Sequence, residues 1–437
     1  MAELSFAHIA DPLIRQGVEA AVHQTLLPAI TEEVYPGHFN VTADGSAFGA
    51  ENTWPGLDGW EIAGALLLLG HERLVLDYFD FVQAAQRPDG DIPFAIFPAE
   101  TPPPGMDAHL RGLRYPEDVY VYQPAPREGR PAWANLKPRR WIGLFAHWQP
   151  KANPLTTLGP VSYILTAAEI WETLQERDWL RAKLPSLAAA GRSLLGRRSA
   201  NGLISGAGFY LEDPPRNQWD GVTQCYTIHV WRLLAGWHRL FGEGASATFW
   251  QDQATALAAA FQALFWRGDH WAEYVHPEHG VVDAHGLSDV NWAAIALDVA
   301  TEEQARLVWP LLVNEPAFWH GDMPTQVVSK PYNYQEWEFR EPLPFAHHHG
   351  PLYDIAAMGR VWFLEALACR KMGAEERLRE AARLVCRMGL RHGGFWHERY
   401  HPLQVWDVYP AGPKGYCEYP AILVRVVWGN RALFARG

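Results

Sequence analysis

Two carboxylates stand beside aromatic rings where loops give way to apolar helical runs. They are Asp220 in Arg216-Asn217-Gln218-Trp219-Asp220-Gly221-Val222 and Glu418 in Tyr416-Cys417-Glu418-Tyr419-Pro420. Such a pair can cleave a glycosidic bond. One carboxyl protonates the leaving oxygen, and the other activates water or attacks the anomeric carbon. A gap of about 6.5–9.5 Å leaves room for water and inverts configuration, whereas about 5–5.5 Å retains it. The simpler role for each acid is helix capping, because a carboxylate at a helix start accepts orphan N–H bonds and favours the dipole. Asp58 and Asp289 occupy the same kind of position, and Asp289 reads mainly as a cap.

The elements that must position these acids are helices. Apolar periodicity and punctuation predict twelve, over 9–33, 58–70, 72–87, 156–175, 178–196, 222–241, 245–266, 289–300, 302–313, 351–372, 374–389 and 419–429. No run of alternating strand residues competes with them, though short strands fit in the loops. The connections after even-numbered segments are tight. Three carry glycine at a left-handed cap position, namely Gly70, Gly242 and Gly373, and Thr301-Glu302-Glu303-Gln304 reads as a capping box. The connections after odd-numbered segments are long, that over 88–155 most of all. Segments 58–70 and 351–372 are apolar on nearly every side, as enclosed helices are, while 374–389 is charged on a broad face. Six hairpins with even helices inside and odd helices outside describe an all-α (α/α)6 toroid. The expectation is one catalytic domain over 1–437 with a long loop insertion at about 88–155, and every long loop at one mouth. Asp220 and Glu418 then come from opposite hairpins.

Composition narrows the partners. The 437 residues are 48% hydrophobic with a net charge of −12, which argues against nucleic acid and anionic membrane surfaces. No basic-then-apolar leader opens the sequence, and the apolar run Ile62 to Leu69 is too short to span a bilayer. Cys225, Cys369, Cys386 and Cys417 are scattered and read as reduced thiols of a cytoplasmic protein. The 21 tryptophans exceed ordinary usage. Core packing must own most of them, but those in loops offer flat faces for a pyranose ring. Six loop ends converge at the predicted mouth: Trp54 to Trp60, Trp148 to Leu155, Gln218 to Asp220, Ser288 to Trp292, His347 to Gly350 and Tyr416 to Tyr419. Tryptophan recurs beside a carboxylate or amide in four of them, the lining expected of a small carbohydrate site. The predicted contacts are Trp54, Asp58, Trp60, Gln218, Trp219, Trp292, His348 and Tyr416.

The layout and these short motifs resemble glycoside hydrolase family 63 and its trehalase-like relatives. Trp54 to Trp60 is similar to the family's Trp/Asp opening of the second helix, which implies that Asp58 binds the sugar nearest the cleavage point. Gln218-Trp219-Asp220 looks like its Gly-Trp-Asp, which makes Asp220 the general acid. Tyr416-Cys417-Glu418-Tyr419 resembles its aromatic-x-Glu-Tyr, which makes Glu418 the general base, and Gly90-Asp91-Ile92-Pro93 resembles its Gly-x-Ile-Pro loop. The resemblance implies an inverting glycosidase for a small α-glucoside or α-mannoside, including glucosylglycerate or mannosylglycerate. An anionic aglycone needs a cation, for which Arg216, Arg340 and Arg399 are candidates. Glu212 and Asp213 remain alternatives to Asp220, and Glu398 to Glu418.

Other chemistries are weaker. Adjacent residues of His347-His348-His349 point in different directions, so they make a poor metal site, and no metal is expected. Cys417 has no histidine near it in sequence to activate it. There is no GxGxxG and no P-loop, so no cofactor is expected. A sugar epimerase on the same barrel, using His229 with one of His347 to His349, is the alternative enzyme. A carbohydrate-binding protein whose acids only cap helices and a phosphorolytic enzyme are further alternatives. Assembly into a homo-oligomer stays open.

Overall fold

The computed structural model describes residues 5–45, 52–56, 58–97, 119–122, 141–144, 157–206, 209–211, 214–319, 322–339, 355–401 and 410–435. Its helices are α1 (Pro12–Ala20), α2 (Gly59–Leu68), α3 (Glu72–Ala84), α4 (Leu158–Leu174), α5 (Arg177–Leu195), α6 (Gly221–Leu240), α7 (Gly244–Phe265), α8 (Asp289–Ala296), α9 (Glu302–Val313), α10 (Gly359–Met372), α11 (Glu375–Arg391), α12 (Glu418–Trp428) and the short α13 (Arg431–Phe434).

The even-numbered helices form a closed ring. Each packs on the next, α2 on α4, α4 on α6, α6 on α8, α8 on α10, α10 on α12, and α12 back on α2. Every residue of α8 and α12 is buried, so neither has a polar face to show to water. The odd-numbered helices pack outside. α11 buries Leu378, Ala381, Ala382, Val385 and Cys386 while Glu375, Glu376 and Arg387 are exposed, and α9 buries only Val308 and Leu312. The architecture is thus the (α/α)6 barrel that the alternation predicts. The tight connections behave as expected. Gly70, Gly242 and Gly373 all have positive φ, and Thr301 and Gln304 complete a capping box.

Inside the ring, Arg425 of α12 lies 4.8 Å from the Trp60 ring centroid and 4.2 Å from that of Phe363, and it pairs with Glu169 of α4. A Cβ on Gly64 would come within 2.9 Å of this guanidinium, so the close approach requires glycine. Six buried tryptophans, Trp231, Trp250, Trp271, Trp292, Trp362 and Trp396, are fully enclosed, so core packing does claim much of the tryptophan.

Several boundaries differ from the sequence expectation. The first segment divides into α1 and a π-helical turn, Ala21–Leu26. Of the described residues in the segment over 351–372, 355–358 are not helical and the helix begins at Gly359, because Ala357 exchanges backbone bonds with Tyr400 at 3.0 and 3.1 Å and is held extended. The segment over 289–300 stops at Ala296, ahead of Asp298 at φ +57°. The 88–155 stretch also carries structure. β1 (Ala95–Phe97), β2 (Val119–Tyr122) and β3 (Trp141–Leu144) form an antiparallel sheet in the order β1-β3-β2. Two further small sheets join β4 (Trp219–Asp220), β5 (Tyr274–His276) and β6 (Gly280–Val282), and β7 (His397–Tyr400) with β8 (Pro410–Lys414).

Candidate active site

Short strand pairings stitch down the N-terminal ends of the inner helices. Thr53 bridges Ile96 ahead of α2, and Ser288 bridges Val328 ahead of α8. Ala357 bridges Tyr400 ahead of α10, and Thr42 bridges Tyr416 ahead of α12. β4 pairs with β5 directly before α6, and Gly221 N donates to the Glu273 carbonyl at 3.1 Å, which sets Glu273 beside Asp220. These pairings fix the helix starts where Asp58, Asp220, Asp289, Arg360 and Glu418 stand. All five are buried.

Two arginines organise them. Arg216 donates to Asp220 Oδ1 at 3.0 Å, to Glu273 Oε1 at 2.7 Å and to Asp289 Oδ1 at 2.7 Å. Glu273 also meets the Tyr334 hydroxyl and His285 Nδ1, and His285 Nε2 lies 3.2 Å from Glu338. Arg360 donates to Asp58 Oδ1 at 2.6 Å and pairs with Glu418, which also accepts the Arg360 backbone N–H at 2.6 Å. Glu418 thereby satisfies an orphan N–H of the neighbouring inner helix rather than its own. The Tyr416 hydroxyl donates to Asp58 Oδ2 at 2.6 Å. Tyr210 joins the two groups, since its hydroxyl bonds Asp289 and its ring centroid lies 5.8 Å from Arg360 Cζ. An unbroken chain of contacts therefore runs from Asp220 on α6 to Glu418 on the opposite helix, α12.

Capping explains only one of the four acids. Asp220 caps α6, accepting the Thr223 N–H at 2.7 Å, and it is also paired with Arg216. Asp58 makes no side-chain cap bond, and the side chains of Asp289 and Glu418 turn to arginines.

Burial sets the protonation pattern. Desolvation pushes Asp58 up to about 7 despite Arg360, with Glu418 adding repulsion. Desolvation likewise raises Asp289 to about 6, and it raises Asp220 against the pull of Arg216. Glu61, one turn into α2 and surrounded by the same charges, is driven well above the carboxylate range, mainly by desolvation. Desolvation also works on Glu273, but Arg216 and His285 outweigh it and hold the group at about 2. His285, facing Glu273 and Glu338, rises to about 9 against the opposing effect of burial. One carboxylate oxygen each from Asp58, Glu61 and Glu418 lies within 4.8 Å of the others. These three are the described residues with the donor set for a hard cation, and Arg360 already supplies positive charge between two of them.

The other predicted contacts divide. Trp54 is buried edge-on to Phe94, and Trp60 lies inside the ring against Tyr226, Phe363 and Arg425. Trp219 donates its indole N–H to Ser199 at 2.9 Å, and Gln218 reaches Ser205 at 3.3 Å; both therefore turn toward the stretch after α5. Adjacent strand residues face opposite ways, so the burial of Asp220 does not come from Trp219. Trp292 packs edge-on to Trp309 of α9 and to Phe318 in the barrel wall. His348, Arg340, Glu212, Asp213 and the Trp148–Leu155 loop end lie outside the described residues. Glu398 pairs with Arg399 at 2.8 Å and is close enough to help raise Asp58. His229 lies midway along α6 rather than at its N-terminal end, and it is influenced by Lys371, Asp298 and Arg232. Sequence reasoning missed Arg360, Glu61, Tyr210 and Glu273. A single charge inside an apolar helical run, as in Trp60-Glu61-Ile62-Ala63 or Gly359-Arg360-Val361-Trp362, was the available signal for two of them.

This architecture and its ring of buried acids define an (α/α)6 barrel of the kind found in glycoside hydrolases. The rhamnosidase of family GH78 from Bacillus sp. GL1 superposes with TM-score 0.62 and 14% identity, over 97% of this chain and 35% of its own. A rhamnosidase from Klebsiella oxytoca, solved with rhamnose bound, gives TM-score 0.61 and 13% identity, over 97% of this chain and 64% of its own. The chain thus spans less than two thirds of either rhamnosidase. The GH63 mannosylglycerate hydrolase from Thermus thermophilus, solved with glucose, gives TM-score 0.58 and 14% identity, over 96% of this chain and all of its own. No family model and no curated protein sequence matches the chain.

Proposed function

We propose that the protein is an inverting glycoside hydrolase (O-glycosyl hydrolase) acting on a small α-glucoside or α-mannoside, with Asp220 as general acid and Glu418 as general base. One observation carries this reading. Two carboxylates stand at the N-terminal ends of opposite inner helices, and the buried chain through Arg216, Asp289, Tyr210 and Arg360 joins them. A general acid must hold its proton near neutral pH, and burial raises Asp220 in that direction. Glu418 is held by bonds from the Arg360 guanidinium and backbone N–H, which fix the orientation of its carboxyl group.

The superposition on a mannosylglycerate hydrolase over its whole length supports a compact aglycone. Of the three cations considered for an anionic aglycone, Arg216 and Arg399 are engaged by carboxylates, and Arg340 lies outside the described residues. The epimerase alternative draws no support from His229, which lies midway along α6 rather than beside the acids at its N-terminal end. No described helix is long and apolar enough to cross a membrane. The four cysteines are buried free thiols, which supports the cytoplasmic assignment.

The test is turnover of a glycoside panel by Asp220→Asn and Glu418→Ala, with product configuration followed by NMR. Each variant should lose at least about a thousandfold in kcat while remaining folded by circular dichroism, and the wild type should release the inverted sugar. Full turnover by Glu418→Ala, or a product of retained configuration, rules the assignment out.

A further inference from the structure

Glu61 is the one member of the lumen cluster that the reading above leaves without a task. It lies on α2 between Trp60 and Ile62, in a helix whose other residues through Leu67 are apolar and buried. Its carboxyl is fully enclosed, and Oε2 has no hydrogen-bond partner among the described residues. Asp58 and Glu418 are engaged by Arg360, and Asp58 by Tyr416 as well, whereas Glu61 comes within 4.8 Å of both without joining either arginine of the lumen in a bond. Below it, Arg425 is directed to Glu169.

A buried polar atom with no partner destabilises the fold, because its lost hydration is not replaced. An apolar residue of the same size would remove that penalty, and every neighbour of Glu61 on α2 is apolar. One of its carboxyl oxygens lies within 4.8 Å of an oxygen of the sugar-binding candidate Asp58 and of the base candidate Glu418. We propose that Glu61 is the floor of the sugar subsite, and that its unpartnered carboxyl oxygen hydrogen-bonds a hydroxyl of the pyranose held above it. This rests on the glycosidase reading and adds to it a residue that selects among sugars. Burial keeps Glu61 neutral, so it offers one O–H donor and one carbonyl acceptor and can read a hydroxyl in either sense. A site built around such a bond rejects an analogue lacking the hydroxyl, because the buried group is again left unpaired.

The experiment compares wild type, Glu61→Gln and Glu61→Met on the best glycoside of the panel and on its monodeoxy analogues, with melting temperatures alongside. Glu61→Gln keeps a donor and an acceptor and should stay close to wild type. Glu61→Met should lose about tenfold to a hundredfold in kcat/KM on the parent glycoside while its melting temperature rises. One deoxy analogue should be equally poor for wild type and Glu61→Met, which identifies the hydroxyl read. Activity down with stability up separates substrate binding from a purely structural role, which would lower both. Unchanged kcat/KM in Glu61→Met, or losses that multiply with every deoxy analogue, overturns the assignment while the wild type still cleaves glycosides. Wild type inactive on the entire panel overturns the underlying reading and this one with it. Should Glu61→Met not fold, Glu61→Leu takes its place under the same criteria.

Discussion

Arg216 and Arg360 each sit among three buried carboxyl groups, and burial raises acids in both clusters, yet the Arg216 cluster also holds one acid below its ordinary range. Around Arg216, every acid has further partners. Tyr210 meets Asp289, Tyr334 and His285 meet Glu273, and the Thr223 N–H meets Asp220. Glu273 is consequently held at about 2 and His285 at about 9. Around Arg360, one guanidinium, one backbone N–H and one tyrosine serve the group, Asp58 rises to about 7, and Glu61 is left with an open oxygen. A saturated cluster is a clamp that fixes geometry. An unsaturated one keeps hydrogen-bonding capacity for something that is not part of the chain.

The sharpest way to break this contrast is to remove each arginine. Arg216→Met strands three acids whose remaining partners cannot replace a charge, and it should destabilise by about 3–5 kcal/mol in urea titration. Arg360→Met should cost clearly less, because Asp58 and Glu61 can remain protonated at neutral pH. Equal losses would erase the distinction.

A smaller effect follows from pH. The folded pKa of His285, about 9, exceeds its ordinary 6.5, so its contribution is fully present below pH 6.5 and is lost as pH rises through 9. Glu273 behaves inversely. Lowered from 4.5 to about 2, it supports folding above 4.5 and loses that support as pH falls through 2. Asp58 opposes Glu273 and acts in the same sense as His285, because its raised pKa weakens the fold progressively as pH rises between 3.8 and 7. Unfolding midpoints should therefore fall on the alkaline side, with roughly 3 kcal/mol carried by His285. His285→Gln should flatten that limb, and a slope that survives the substitution would place the titrating group elsewhere.

The smallest expected effect is at Trp219. With its indole bonded to Ser199, Trp219→Phe should leave kcat and KM nearly unchanged. A large rise in KM would show that this ring does meet the sugar and would bring the Arg216 side into direct substrate contact.

Legibility in the sequence followed the range of the physics involved. The glycine caps, the capping box and the apolar inner helices are local patterns, and each was readable. The strands were not, because a bridge such as Thr42 with Tyr416 pairs single residues and leaves no alternating period. For the same reason nothing local marks 355–358 as non-helical. Ala357 is pulled extended by Tyr400, distant in sequence. Of the candidate contacts, Asp58, Tyr416 and Glu418 meet through Arg360 as their positions implied, while Trp292 and Trp219 turn toward the barrel wall and the stretch after α5.

By itself the sequence determined the alternation of enclosed and charged helices, hence the ring, and the placing of an acid at the start of most inner helices. Which of those acids cap, which pair and which stay protonated was decided only by tertiary structure. Charge states in a buried site depend on partners brought from distant parts of the chain, such as Arg360 to Asp58 and Arg216 to Glu273. A helix start specifies a position, whereas the energy of a carboxyl placed there depends on everything that encloses it.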